Sequence, residues 1–262
     1  HISWGVTNAM ADVQDLFVLD EVDKNHYRHP SCENQICAFN VIKEKIIVKG
    51  GEDINLEVRE SIYGPVINDV MGLSDSKDPI SMWWNTIQLE DTTVICVTKL
   101  AQSKNWDDFK NALTFYVAPS QNFIYADSQN NIGYYMPGRV PIRKRGHSGR
   151  FPVAGNGDWD YMPTEKNPDG NFIPFEKLPH VFNPEKGYIV SANNRIPPLG
   201  YEYTIAFDHA PSYRADRIAQ MVEEFSGNHT SNTMRSIQMD TVSLLFKDLN
   251  FLWNDIICFH LT

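Results

Sequence analysis

The sequence predicts a layered α+β fold. β-prone segments crowd its first two-thirds, helical periodicity takes over beyond Pro211, and a stretch rich in Pro and Gly separates the two. The chain has 262 residues, 42% of them hydrophobic and 12% aromatic, enough for one large core or two small ones. It reads as one segment over 1–262, β-rich over 1–200 and helical over 211–262.

The elements follow in order. Ile36 to Val48 is β-prone, Gly50-Gly51 makes a turn, and Ile54 to Ile62 alternates, with Ile54, Leu56 and Val58 opposite Asn55, Glu57 and Arg59. Two such runs around a glycine pair predict a hairpin. Thr92 to Val97 reads as a further apolar strand. Trp106, Phe109, Ala112 and Leu113 recur at helical spacing. Phe123 to Ala126 and Ile132 to Met136 flank Ser128-Gln129-Asn130-Asn131, a second hairpin signal. Pro137 to Pro184 turns at nearly every step and predicts a long ordered excursion over a sheet. Tyr188 to Ser191 reads as a short returning strand. Ser212 is placed to cap a helix whose apolar face is Ile218, Met221, Val222 and Phe225, with Gly227 ending it. Further helices are expected from Thr230 or Ser231 and around Val242.

The net charge of −10 argues against nucleic acid, since phosphate binding needs a basic face. The one basic run, Arg139 to Arg150, reads as a solvated loop. No apolar run approaches the ~18–20 residues of a membrane-spanning helix. Leu244 to Leu261, broken by Lys247, Asp248, Asn254, Asp255 and His260, reads as a buried amphipathic helix. Cys32, Cys37, Cys96 and Cys258 match no zinc or redox spacing, so a local disulfide and scattered buried thiols both remain open. Asn228-His229-Thr230 is a glycosylation sequon of the kind that arises by chance. The chain opens at His1, mid-strand and without a methionine, and the expectation is a piece of a longer protein.

Three clusters carry possible chemistry. Ser3 to Asp15 places small polar residues after a strand and then two carboxylates, Asp12 and Asp15. That is either a helix start or an oxygen-rich site for a hard cation. Ser191-Ala192-Asn193-Asn194-Arg195 is either a turn or an amide donor aimed at a developing oxyanion. Pro211 to Ile218 sets Arg214 and Arg217 around Asp216, a structural ion-pair network or a carbonyl-orienting one. There is no Gly-x-Ser-x-Gly elbow, His-Glu-x-x-His or phosphate loop, and the eight histidines form no set.

Taken together and in order, these clusters resemble the β-subunit of the penicillin amidase family. The likeness runs through Ile2-Ser3-Trp4-Gly5-Val6-Thr7-Asn8, Tyr63-Gly64-Pro65, Asn105-Trp106, Tyr125-Ala126-Asp127, Gly138-Arg139-Val140-Pro141-Ile142-Arg143, Ala192-Asn193-Asn194 and Tyr213-Arg214-Ala215-Asp216-Arg217-Ile218. It spans roughly Ile2 to Asp240. The resemblance implies the αββα sandwich of N-terminal-nucleophile hydrolases, present in part, and hydrolysis of a linear amide in a small N-acyl substrate. The nucleophile would be an N-terminal serine, freed by self-cleavage, whose own α-amino group is the base. Its position lies upstream of His1, so the partners implied are the rest of the same precursor: the α-subunit and the N-terminal part of the β-subunit. A periplasmic or secreted location is implied too.

By match, the Asn193 side chain and the Asn8 backbone N–H would form the oxyanion hole, with Arg214 beside them. Val6, Trp84 and Gln121 would line the acyl pocket. Asp12, Asp15 and the Gln14 carbonyl would contribute to a structural calcium site, and no organic cofactor is expected. The sequence departs from the pattern at Val13, between the two acids, and at Tyr203, where a carboxylate is expected but only Glu202 is adjacent. Gly149 replaces a proline, and Val6 replaces a small polar residue. A different class of reading is a catalytically silent member acting as a binding or structural module. The identity of the residue upstream, a Ser, Thr or Cys at a processing junction or some other, separates the two.

Overall fold

The computed structural model describes residues 1–250 except 69, 73–76, 89, 164–168 and 228. Asn228 of the sequon, Cys258 and the C-terminal part of Leu244 to Leu261 lie outside the described residues. The strands are β1 (Ile2–Asn8), β2 (Gln14–Val18), β3 (Glu21–Asp23), β4 (His26–Arg28), β5 (Ile36–Ala38), β6 (Asn40–Ile46), β7 (Ile54–Ser61), β8 (Gly64–Pro65), β9 (Ile80–Trp84), β10 (Gln121–Asp127), β11 (Ile132–Tyr135), β12 (Val153–Ala154) and β13 (His180–Phe182). The helices are α1 (Asn85–Gln88), α2 (Thr93–Gln102), α3 (Trp106–Leu113), α4 (Tyr213–Glu224) and α5 (Ser231–Gln238). The α+β class holds.

The principal sheet is antiparallel with the order β1-β10-β11-β13. Its central hairpin closes where expected, because the Asp127 carboxylate accepts from the Gln129 and Asn131 N–H groups at 2.8 and 3.0 Å. Helix α3 packs on this sheet. Asn105 caps it by accepting from the Asp108 N–H at 2.9 Å, and Phe109, Ala112 and Leu113 are fully buried against Tyr125 and Tyr135. Burying a side chain such as Phe109 stabilises by about 1.5–3 kcal/mol. Gly133 faces the Trp106 ring so closely that a Cβ would lie 2.3 Å from it, so no larger residue fits. A second core gathers Phe17, Leu19, Tyr63, Trp83 and Tyr161 around the three-stranded sheet β12-β2-β9. The predicted β6–β7 hairpin forms across its glycine turn, with Ile46 opposite Ile54.

Five sequence expectations need correction. Thr92 to Val97 is not a strand but the start of α2: Cys96 and Leu100 supply its buried face at i, i+4, and Val94, Ile95 and Val97 face outward. Tyr188 to Ser191 forms no strand; the chain returns to the sheet earlier, as β13. Residues 244–250 are helical, yet Leu245, Phe246 and Leu249 are exposed rather than buried. The basic run is not all solvated, because the Arg143 side chain is only 6% exposed. Cys32 and Cys37 form a disulfide, and Cys96 is a buried free thiol. Ser212 stands at the head of α4 without capping it; its hydroxyl bonds Asp216 at 2.6 Å instead. Among the described residues no helix is long and apolar enough to cross a membrane.

Candidate active site

Among the described residues β1 is an edge of the principal sheet, and the alternation of antiparallel bonding decides which of its groups point away from β10. Ala9 N–H donates to the Ser120 carbonyl at 3.2 Å and Ser128 N–H to the His1 carbonyl at 3.1 Å. The odd positions of β1 therefore bond inward to β10. Asn8, opposite Gln121, is a non-hydrogen-bonded pair, so its N–H and C=O face the outer edge.

At that edge three of the residues singled out in the sequence meet. Asn193 donates its side-chain N–H to the Asn8 carbonyl at 2.9 Å, and Arg214 Nη2 donates to Asn193 Oδ1 at 2.9 Å. The arginine fixes which end of the Asn193 amide is oxygen and which is nitrogen. One Asn193 N–H is thereby used, and among the described residues the other has no hydrogen-bond partner. Asn193 sits at φ 64°, a left-handed conformation that asparagine tolerates better than most residues. The two chain segments are also tied by a 2.5 Å bond between the Thr7 and Ser191 hydroxyls.

The pocket candidates divide. Val6, 47% exposed, and Gln121, partly buried, lie on β1 and β10 beside Asn8, with Val6 opposite Phe123. Trp84 ends β9 in the other sheet, opposite Gln14, and no hydrogen bond joins it to the Asn8–Asn193 cluster among the described residues. Asn122 was missed in the sequence. It is a buried amide in β10, and the signal available was the polar pair Gln121-Asn122 leading into the apolar run from Phe123.

The acidic cluster is neither a helix start nor a surface feature. Arg143 Nε donates to Asp15 Oδ2 at 2.9 Å and its Nη2 to the Asp12 carbonyl at 2.8 Å; the Tyr161 hydroxyl also donates to Asp15 Oδ2. Burial pushes the Asp15 carboxyl up, but His147, Arg143 and Tyr161 outweigh it and hold the group below the ordinary 3.8. Asp12 is raised, chiefly by burial, against a hydrogen bond from the Phe207 N–H and the Arg143 charge. Asp15 Oδ1 is buried with no hydrogen-bond partner among the described residues. Arg143, His147, Glu202 and Tyr203 line a cavity of about 180 Å³ next to these acids.

The donor set is of the oxygen kind a hard cation takes, with one Asp15 carboxylate oxygen unpartnered among the described residues, while Arg143 holds the other Asp15 oxygen and the Asp12 backbone carbonyl. Calcium takes ~6–8 oxygens. Among the described residues no three acids, histidines or cysteines close into a metal-holding group.

Asp160 behaves like Asp15. Burial raises its carboxyl, but His29, Tyr63 and Lys144 bring it below 3.8. A depressed folded-state value contributes stability above the unfolded value and loses it as pH falls through the folded one. Asp12 works in the opposite direction and partly offsets the loss. Thermal melts are therefore expected to be flat from pH 7 to about 5 and to drop steeply below about 4. A melting temperature unchanged down to pH 3 would remove both carboxylates as stabilising groups.

Comparison with known proteins adds to this geometry. A family model described as penicillin amidase matches residues 1–254. An acyl-homoserine lactone acylase from Pseudomonas aeruginosa is 26% identical over 97% of this chain and 30% of its own length. Penicillin G acylase from Escherichia coli is 30% identical over 74% of this chain and 21% of its own length. A solved structure, a thermostable penicillin G acylase from Alcaligenes faecalis, superposes with a TM-score of 0.70 at 24% identity, covering 85% of this chain and 38% of that one. The fold is thus that of an N-terminal-nucleophile hydrolase, the αββα sandwich in part. The chain spans about three-tenths or less of the length of these curated relatives.

Proposed function

Because the chain belongs to the penicillin amidase family, we propose that the full-length protein hydrolyses a linear amide bond, releasing the acyl group of an N-acyl substrate. The reading rests on one observation above all. A backbone N–H on an open sheet edge, at Asn8, stands beside an arginine-oriented amide, at Asn193. Two neutral, preorganised donors of this kind suit the oxyanion of a tetrahedral intermediate and need no proton transfer of their own. Arg214 orients the Asn193 amide. The nucleophile is an N-terminal serine, freed by self-cleavage of the precursor, with its α-amino group as base. That serine belongs to the N-terminal part of the same subunit, and the open edge of β1 gives such a segment a place to pair.

Val6 and Gln121 line the acyl side of the site, and Trp84 completes it only from a distance. The similarity to acyl-homoserine lactone acylases and penicillin acylases supports an acylated amino acid, an acyl-homoserine lactone or a β-lactam as substrate. The Cys32–Cys37 disulfide supports a periplasmic or secreted location, where thiols oxidise.

The test is mass spectrometry of the full-length protein, with acyl release assayed on these three substrate types. Cleavage immediately before a Ser, and loss of both cleavage and activity on its replacement by Ala, are expected. An intact chain with no Ser, Thr or Cys at the junction would favour the silent module.

The Asp12 and Asp15 carboxylates and the Gln14 carbonyl contribute to a calcium site whose remaining oxygens come from outside the described residues. When bound, the ion supplies positive charge and rigidity at a distance from the chemistry. Chelation is expected to lower the melting temperature and added calcium to restore it. No shift in either direction would dismiss the metal and leave the amidase reading intact.

A further inference from the structure

We propose that Asn122, held by Tyr134, is a positioning residue for the oxyanion donors. This deepens the reading above and rests on it. Asn122 is 1% exposed, in the centre of a sheet, where a primary amide is costly unless all its polar atoms are engaged. They are engaged on both sides: the amide nitrogen toward the end of β1 and the amide oxygen toward β11. Its Nδ2 donates to the Asn8 carbonyl and to the Thr7 hydroxyl, each at 3.2 Å, and its Oδ1 accepts from the Tyr134 hydroxyl at 2.8 Å.

Tyr134 is 2% exposed, and its hydroxyl, acting as a donor, settles which end of the Asn122 amide is oxygen. The Asn8 carbonyl thus receives two amides, Asn122 from within the sheet and Asn193 from the facing segment. A carbonyl oxygen has two lone pairs, and these two donors fill both.

The arrangement explains why the two oxyanion donors share a frame. The Asn8 peptide is fixed by Asn122 on one side, and Asn193 leans on that same peptide while Arg214 holds its oxygen. Thr7 extends the tie, because its hydroxyl contacts both Asn122 and Ser191, two residues before Asn193. Asn122 bonds neither the Asn8 N–H nor the Asn193 side chain, so it acts through the groups that hold the donors and not on the substrate. Loss of Asn122 removes one of the two side-chain donors on the Asn8 carbonyl and the tie to Thr7, and so loosens the frame against which the Asn193 amide rests. Misplacement of the order of an ångström is enough to cost a large factor in turnover.

The experiment is a double-mutant cycle in the full-length, processed enzyme. Asn122→Ala is expected to lower kcat about tenfold to a hundredfold with KM changed less than roughly twofold, the pattern of a transition-state effect. Placed on Asn193→Ala, the same substitution is expected to cost less than roughly threefold more, because the donor it positions is already gone. Tyr134→Phe, which keeps the buried ring, is expected to give a smaller fall in kcat at unchanged KM. It carries the test if Asn122→Ala does not accumulate as folded protein.

A full, multiplicative loss in the double variant overturns the inference, since a merely structural Asn122 would act independently of Asn193. So does a rise in KM at constant kcat, or a Tyr134→Phe enzyme with unchanged turnover. If Asn193→Ala alone leaves turnover intact, the oxyanion reading fails first and this inference falls with it; the two failures are distinct.

Discussion

In the full-length protein, Asn193→Ala is expected to lower kcat by about two to three orders of magnitude, the cost of one oxyanion donor. KM should move little, because the interaction strengthens only as charge develops on the carbonyl oxygen. The backbone complicates this variant. Asn193 sits at φ 64°, where alanine is strained by roughly 1–2 kcal/mol. Asn193→Asp tolerates that conformation and keeps the shape of the side chain. It replaces the donor by an acceptor facing the Asn8 carbonyl, and should lose at least as much turnover. Asn193→Gly relaxes the backbone and removes the amide. Comparable losses in all three, with melting temperatures ranked by backbone fit, would isolate the amide as the cause. Glycine retaining near-normal turnover would take Asn193 out of the mechanism.

The site was legible in the sequence to the extent that it depended on order. Asn8, Asn193 and Arg214 lie in three separate segments, and only the succession of motifs joined them; the structure then brought them within hydrogen-bond distance. Hairpins were legible because their signals are local: a glycine pair between alternating runs, or Asp127 ahead of a polar turn. The segment 92–97 misled because β-branched residues dominate it. Val94, Ile95 and Val97 face outward, while Cys96 and Leu100 carry the packing, so tertiary burial overrode propensity. Asn122 was missed because two of its three partners, Thr7 and Asn8, lie more than a hundred residues away. The Arg143–Asp15 pair was missed for the same reason. Four basic residues within eight positions look solvated until a carboxylate 128 residues upstream claims one of them.

That pair should be the most costly single interaction to break. Arg143→Met is expected to destabilise the protein by about 3–5 kcal/mol, since it leaves a buried carboxylate without its counter-charge. Asp15 is fully buried at the side chain, its Oδ1 has no partner among the described residues, and its Oδ2 would keep only Tyr161 and His147. The reverse change is expected to be milder. In Asp15→Asn the amide is neutral and still able to accept from Arg143 and Tyr161. The guanidinium borders a 180 Å³ cavity and keeps its bond to the Asp12 carbonyl. A loss of about 1–3 kcal/mol is the corresponding expectation.

The ranking is the informative quantity, and denaturant unfolding of the two variants beside wild type reads it directly. Equal losses would mean that the pair acts as a hydrogen-bonded spacer rather than as charge compensation. The pH dependence gives a second check. Asp15→Asn should flatten part of the acid limb, because the group that titrates there is gone. Arg143→Met should instead shift that limb toward higher pH, since a carboxyl deprived of its cation protonates more readily. A limb unmoved in both variants would assign the acid sensitivity to Asp160 and its partners His29 and Tyr63.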